Sequence, residues 1–101
     1  MKTIGLLGGS FDPPHKGHLY ISIEAKKILK LDEIWWLITP QNPHKISKPA
    51  TYKERIQNCK TITKKFPIKI MEIEKKIKSS YSFKTINFLK FHYKNINFFW
   101  L

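Results

Sequence analysis

Acidic residues are scarce: 7 Asp and Glu stand against 19 Lys and Arg in 101 residues, a formal charge of +12. The surplus favours anionic partners such as nucleotides, nucleic acid or acidic membranes. Arginine is scarcer still. Arg55 alone offers the planar fork suited to specific phosphate or base recognition, and the lysines are scattered through every segment, so a dedicated nucleic-acid patch is not expected. A single cysteine, Cys59, rules out an internal disulfide. No apolar run approaches the roughly 20 residues of a membrane span, and no leader-like apolar run with a cleavage site follows Met1. No repeat or low-complexity tract breaks the chain, and its length leaves room for one domain, residues 1–101. The expectation is a soluble, cytoplasmic protein, without a membrane partner and with no oligomeric state specified. With 42% hydrophobic and 14% aromatic residues, the chain carries enough apolar surface to fold around a core.

Strand and helix signals alternate along that single domain. Thr3 to Gly8 is a short apolar run ending in glycines, which predicts a buried parallel strand and a tight turn. From Gly17 to Leu31, Ile21, Ala25, Ile28 and Leu29 recur at helical spacing and are expected to form the inner face of a helix. Ile34 to Ile38, with two tryptophans, reads as a second strand, and the three prolines between residues 40 and 50 mark a loop. Thr51 and Glu54 make a capping box for a second helix running to about Lys65, with Tyr52, Ile56, Cys59 and Thr63 inward, which makes Cys59 a core residue. Residues 68 to 73 read as a weaker third strand. Ser82 is expected to cap a helix with Phe83, Ile86, Leu89 and Tyr93 on one face, and Ile96 to Leu101 as a fourth strand. The order β-α-β-α-β-α-β predicts an α/β parallel sheet with helices on both faces. Because the chain stops within that last apolar run, a truncated protein or a remnant of a longer one is expected.

Chemistry concentrates in Gly8-Gly9-Ser10-Phe11-Asp12-Pro13-Pro14-His15-Lys16-Gly17-His18, between the first strand and the first helix. At such a junction, backbone N–H groups and a helix dipole meet a nucleotide's phosphates. Glycines let the main chain approach closely, prolines stiffen the loop, and His15 and His18 can donate to phosphate oxygens. The segment is neither a Walker loop nor the G-x-G-x-x-G fingerprint. The spacing also leaves Asp12, His15 and His18 open as metal ligands. A histidine with a reference pKa near 6.5 is partly charged at neutral pH, and a triphosphate favours its charged form.

GGSFDPPHKGH resembles the signature of the bacterial nicotinate-nucleotide adenylyltransferases, in the nucleotidylyltransferase superfamily, with His15-Lys16-Gly17-His18 as its H-x-G-H-type motif. Pro40-Gln41-Asn42-Pro43-His44-Lys45 is similar to that family's proline-rich loop ending in Pro-His-Lys, and Ser80-Tyr81-Ser82-Phe83-Lys84-Thr85 to its Ser-Tyr-Thr-x-x-Thr segment, with Ser82 in place of Thr. The family continues into a Gly-Ala-Asp segment and an Ile-Ser-x-Thr-x-x-Arg motif that are not found here.

The resemblance implies a Rossmann-like fold, incomplete at its C-terminal side, and transfer of AMP from ATP, with Mg²⁺, to nicotinate mononucleotide, giving deamido-NAD and pyrophosphate. It implies that His15 and His18 are catalytic and that Gly8, Gly9, Ser10 and Phe11 line the phosphate site with them. His44 and Lys45 would lean in from the facing loop, and Tyr81 and Ser82 would border the nicotinate pocket. No resident metal is implied. Three alternatives stand beside this reading: a non-catalytic remnant that binds nucleotide phosphates at most, a basic nucleic-acid-binding domain, and a pantetheine-phosphate adenylyltransferase or cytidylyltransferase sharing the first motif.

Overall fold

The apolar runs sort onto the two faces of one sheet. The structure, a computed structural model, describes residues 1–39, 51–72 and 82–101, the side chains of Ser82 and Phe83 excepted. In chain order these residues form β1 (Lys2–Gly9), α1 (Lys16–Ile28), β2 (Glu33–Ile38), α2 (Tyr52–Ile62), β3 (Ile68–Met71), α3 (Ser82–His92) and β4 (Ile96–Trp100). The strands pair in parallel in the order β3-β2-β1-β4, the expected Rossmann-like α/β arrangement. Leu6 of β1 sits opposite Trp35 on one side and Trp100 on the other. The strand order changes sense beside β1, with β2 and β3 on one side and β4 on the other, and open parallel sheets bind ligands at the carboxyl ends of strands at such a switch.

β2 reads as a continuous apolar run because it is covered on both faces. Ile34, Trp36 and Ile38 pack with Leu31 and with Ile56 and Cys59 of α2. Trp35 and Leu37 pack on the opposite face with Ile4, Leu6 and Leu89 of α3. Gly5 keeps β1 close to its cover, since a Cβ there would lie 2.7 Å from Leu31 Cδ1 and 2.9 Å from Ile34 Cδ1. Strand β4 lies at the sheet edge and leaves Phe99 and Trp100 about two-fifths exposed.

The three helices differ in how well periodicity foretold their inner faces. On α2 the expected stripe holds: Ile56, Cys59 and Thr63 are buried and Tyr52 is half-buried, although the helix ends at Ile62. On α3, Leu89 is buried and Tyr93 packs beside it, while Thr85 and Phe88 also turn inward. The stripe on α1 is a correction. Ile21, Ile28 and Leu29 are exposed, and the buried residue of that helix is Ser22. Trp36 explains the reversal, because its indole N–H donates to Ser22 Oγ at 2.8 Å, and that hydroxyl donates to His18 O at 2.8 Å. A buried indole needs an acceptor, so the helix turns its serine to the sheet. Helix α1 then stops in a Schellman-type turn, with Lys30 at φ 53° and Leu31 N bonded to Lys26 O at 2.9 Å.

Candidate active site

The segment after β1 is fixed by its neighbours on β2 and α2. Thr39 N donates to Gly9 O at 2.9 Å, so the chain leaves β1 still tied to the end of β2. Phe11 adopts φ 51°, a left-handed conformation that costs a non-glycine residue about 1–2 kcal/mol. Its ring is 2% exposed and stacked on Trp36, with centroids 4.6 Å apart and planes at 19°. Burying such a ring contributes about 1.5–3 kcal/mol, enough to hold the turn. Phe11 thus offers a ligand its backbone only.

His15 and His18 together cap the start of α1. His15 is the N-cap residue, and its Nδ1 accepts from Gly17 N at 3.0 Å. Nδ1 of His18, three residues on, accepts from His15 N at 3.0 Å. This is the topology of a Ser/Thr-x-x-Glu capping box, built from two imidazoles. The ring centroids lie 4.0 Å apart, and His18 also packs 4.6 Å from Phe11 and 5.7 Å from Trp36. Gly17 makes room for the arrangement: a Cβ there would fall 2.7 Å from His15 Cε1 and 2.9 Å from His15 Nδ1. The motif's glycine is therefore required by the preceding histidine's ring. At Gly8 and Gly9 a Cβ would meet nothing nearer than 3.5 Å, so the protein's own packing does not demand glycine there.

Burial first, and the neighbouring His15 second, push the His18 pKa below its ordinary value. Both effects disfavour the charged form of the His18 ring in the free protein. Among the described residues no three His, Cys, Asp or Glu side chains converge to hold a metal ion, so Asp12, His15 and His18 do not form the ligand set their spacing left open. Burial raises the Cys59 thiol to about 12, with Arg55 opposing, which keeps it protonated and inert in the core.

Sequence reasoning missed Arg55 as a part of this site. It is 1% exposed, and its Nη1 donates to Ser10 O at 2.8 Å and Thr39 O at 2.7 Å, clamping the segment after β1 to the end of β2. Among the described residues its buried Nε and Nη2 have no hydrogen-bond partner, and its guanidinium carbon lies 5.1 Å from the Tyr52 ring centroid. The Tyr52 hydroxyl donates to Ile38 O at 2.9 Å, so one turn of α2 secures the ends of two strands. The available signal was position: Arg55 is three residues after Tyr52 and four before Cys59, on the inner stripe.

Of the expected site residues, the structure gathers Gly8, Gly9, Ser10, Phe11, His15 and His18 at the β1–α1 junction. His44, Lys45 and Tyr81 lie outside the described residues. Ser82 is the first residue of α3, with its side chain likewise outside. No described helix is long and apolar enough to cross a membrane.

Comparison with known proteins agrees with this geometry. The family model described as cytidylyltransferase-like matches residues 6–99. A relative from Ruegeria sp. (strain TM1040), named "Probable nicotinate-nucleotide adenylyltransferase", is 43% identical over 99 residues, 98% of this chain and 52% of the relative. A relative of the same name from Cereibacter sphaeroides (strain ATCC 17025) is 39% identical over 99 residues, 98% of this chain and 54% of its own length. In structure, the Plasmodium falciparum nicotinic acid mononucleotide adenylyltransferase complexed with NaAD superposes with a TM-score of 0.83 at 20% identity, over 99% of this chain and 51% of that one. At that identity the likeness concerns the fold. The chain spans about half the length of the curated relatives it matches. It belongs to the cytidylyltransferase-like family.

Proposed function

We propose that this chain carries the ATP-phosphate half of a nicotinate-nucleotide adenylyltransferase site, and that the reaction it serves joins AMP from ATP to nicotinate mononucleotide. The observation that carries the reading is the reciprocal cap of His15 and His18, which places two imidazoles 4.0 Å apart at a helix N-terminus directly after the central strand. Relatives bearing the adenylyltransferase name, at 43% and 39% identity, support the choice of substrates.

In the proposed reaction, a phosphate oxygen of nicotinate mononucleotide attacks the α-phosphorus of Mg·ATP. A new P–O bond forms as the bond to the bridging oxygen breaks, deamido-NAD is made, and pyrophosphate leaves with the electron pair. Such transfers rest on positioning and on stabilising charge over the reacting oxygens. His15 and His18 donate from Nε2, the nitrogen their caps leave over, to phosphate oxygens. The backbone at Gly8, Gly9, Ser10 and Phe11 lines the same cradle, where glycine lets a ligand approach the main chain. Arg55 holds Ser10 from beneath. His44 and Lys45 add donors from the facing loop, and Tyr81 and Ser82 border the nicotinate ring. Mg²⁺ arrives with ATP as part of the substrate.

The test is calorimetric titration with Mg·ATP, followed by assay of pyrophosphate release from ATP plus nicotinate mononucleotide. Binding with release supports the full reading. Binding without release reduces the chain to a nucleotide-binding domain. Absence of binding sinks both.

A further inference from the structure

We infer that His15 and His18 are each locked in the tautomer that carries its proton on Nε2, and that Gly17 is the positioning residue that permits this lock. The inference deepens the nucleotide reading above and rests on it for the identity of the anion. The lock itself rests on hydrogen bonding alone. An imidazole nitrogen that accepts a bond carries no proton. Nδ1 of His15 accepts from Gly17 N, and Nδ1 of His18 accepts from His15 N, both at 3.0 Å. In a neutral ring the proton then belongs to Nε2. Among the described residues neither Nε2 has a partner, so both N–H groups are available to an anion.

Protonating either ring would set an N–H against an N–H and break the cap. At His18 this geometric reason stands beside burial, which also disfavours the charged ring. The groups that face His18 are Phe11 from the segment after β1, Trp36 from β2, and His15. Of these only His15 titrates, and its charge would oppose that of His18. No carboxylate acts on the ring to recruit a second proton.

This gives the H-x-G-H spacing a physical cause. The second histidine must sit three residues after the first to reach its backbone N–H, as the fourth residue of a capping box does. The residue between them that donates to the first ring must lack a side chain, because the ring occupies the space where a Cβ would stand. Two N–H donors are thereby presented to an anion, and the helix N-terminus supplies the favourable field.

The experiment is a long-range ¹H–¹⁵N correlation spectrum of the intact chain with ¹⁵N-labelled histidine near pH 7.5, first alone and then with Mg·ATP. Signals are assigned with His15→Asn and His18→Gln, and the exposed His92 serves as the reference. The expected result is a bare Nδ1 and a protonated Nε2 on both rings of the free chain, with both Nε2 signals shifting on titration with Mg·ATP. A protonated Nδ1 on either ring, or two tautomers in exchange, overturns the lock. In Gly17→Ala the His15 ring is expected to lose its single-tautomer signature. A retained signature in a folded variant removes Gly17 from the inference, and if that variant does not fold the wild-type spectrum still decides the lock. The two readings fail separately. Locked rings that ignore Mg·ATP keep the lock and end the nucleotide assignment, whereas rings that respond to Mg·ATP from another tautomer do the reverse.

Discussion

Two helices of this chain begin with a similar capping device made from different side chains. At α2, Thr51 Oγ1 accepts from Glu54 N at 3.1 Å, and Glu54 Oε1 accepts from Thr51 N at 3.3 Å. At α1, the two acceptors are imidazole nitrogens. A capping hydroxyl and carboxylate offer no second nitrogen donor once the box is made. An imidazole spends one nitrogen on the helix and keeps the other for a ligand. Replacing Thr and Glu by His and His thus turns a structural cap into a cap with two anion donors, at the same three-residue spacing.

The strongest way to break the comparison is to remove what supports the α1 box from the α2 side. Arg55→Ala should lower unfolding stability by about 3 kcal/mol in denaturant titration, since it strips a charged donor from two half-buried carbonyls and leaves a void where a buried side chain stood. A loss under about 1 kcal/mol would show that the clamp on Ser10 and Thr39 is dispensable.

Function should separate the boxes next. His18→Ala is expected to weaken Mg·ATP binding at least tenfold, about 1.4 kcal/mol, and Glu54→Ala to leave it unchanged. Equal effects would mean that both boxes act only on folding.

Removal of a cap should cost the two helices alike. Thr51→Ala and His15→Ala each predict a loss of about 1 kcal/mol in stability, with His15→Asn, itself a good cap, within a few tenths of wild type. The asymmetry between Ala and Asn at position 15 is what chemical denaturation must show.

The smallest effect is on pH. His18 has a depressed pKa in the folded chain, so the unfolded chain binds its proton first as pH falls. Its contribution to stability is complete above the unfolded value near 6.5 and is lost as pH falls through the lower folded value. His18→Gln should flatten that part of the stability profile, while Glu54→Gln should leave it in place.

How much of this was legible in sequence follows from how local each signal is. The α2 box needs only Thr51 and Glu54, three residues apart, and it was read correctly with its inner stripe. Strands β1 and β2 announced themselves as apolar runs because both are covered on two faces. The inner face of α1 was misread because a distant partner decides it. Trp36 requires an acceptor and takes Ser22, so periodicity in Ile21 and Ile28 describes a stripe that faces outward. Arg55 was passed over for a similar reason, since its partner Ser10 is 45 residues away. The histidines were found by their place in a Gly/Pro loop, yet the bonds that orient them were not. Imidazole is an uncommon capping group, and the usual Ser, Thr, Asp or Asn cues are missing there.

Calorimetric titration of Mg·ATP into the wild-type chain and into His15→Asn and His18→Gln bears most directly on the two imidazoles. Both variants keep a capping acceptor and lose an imidazole donor. The expected result is binding by the wild type, weakened at least about tenfold in each variant, with melting temperatures close to wild type. Equal affinity in all three, with the folds intact, would contradict the claim that these rings hold the nucleotide's phosphates.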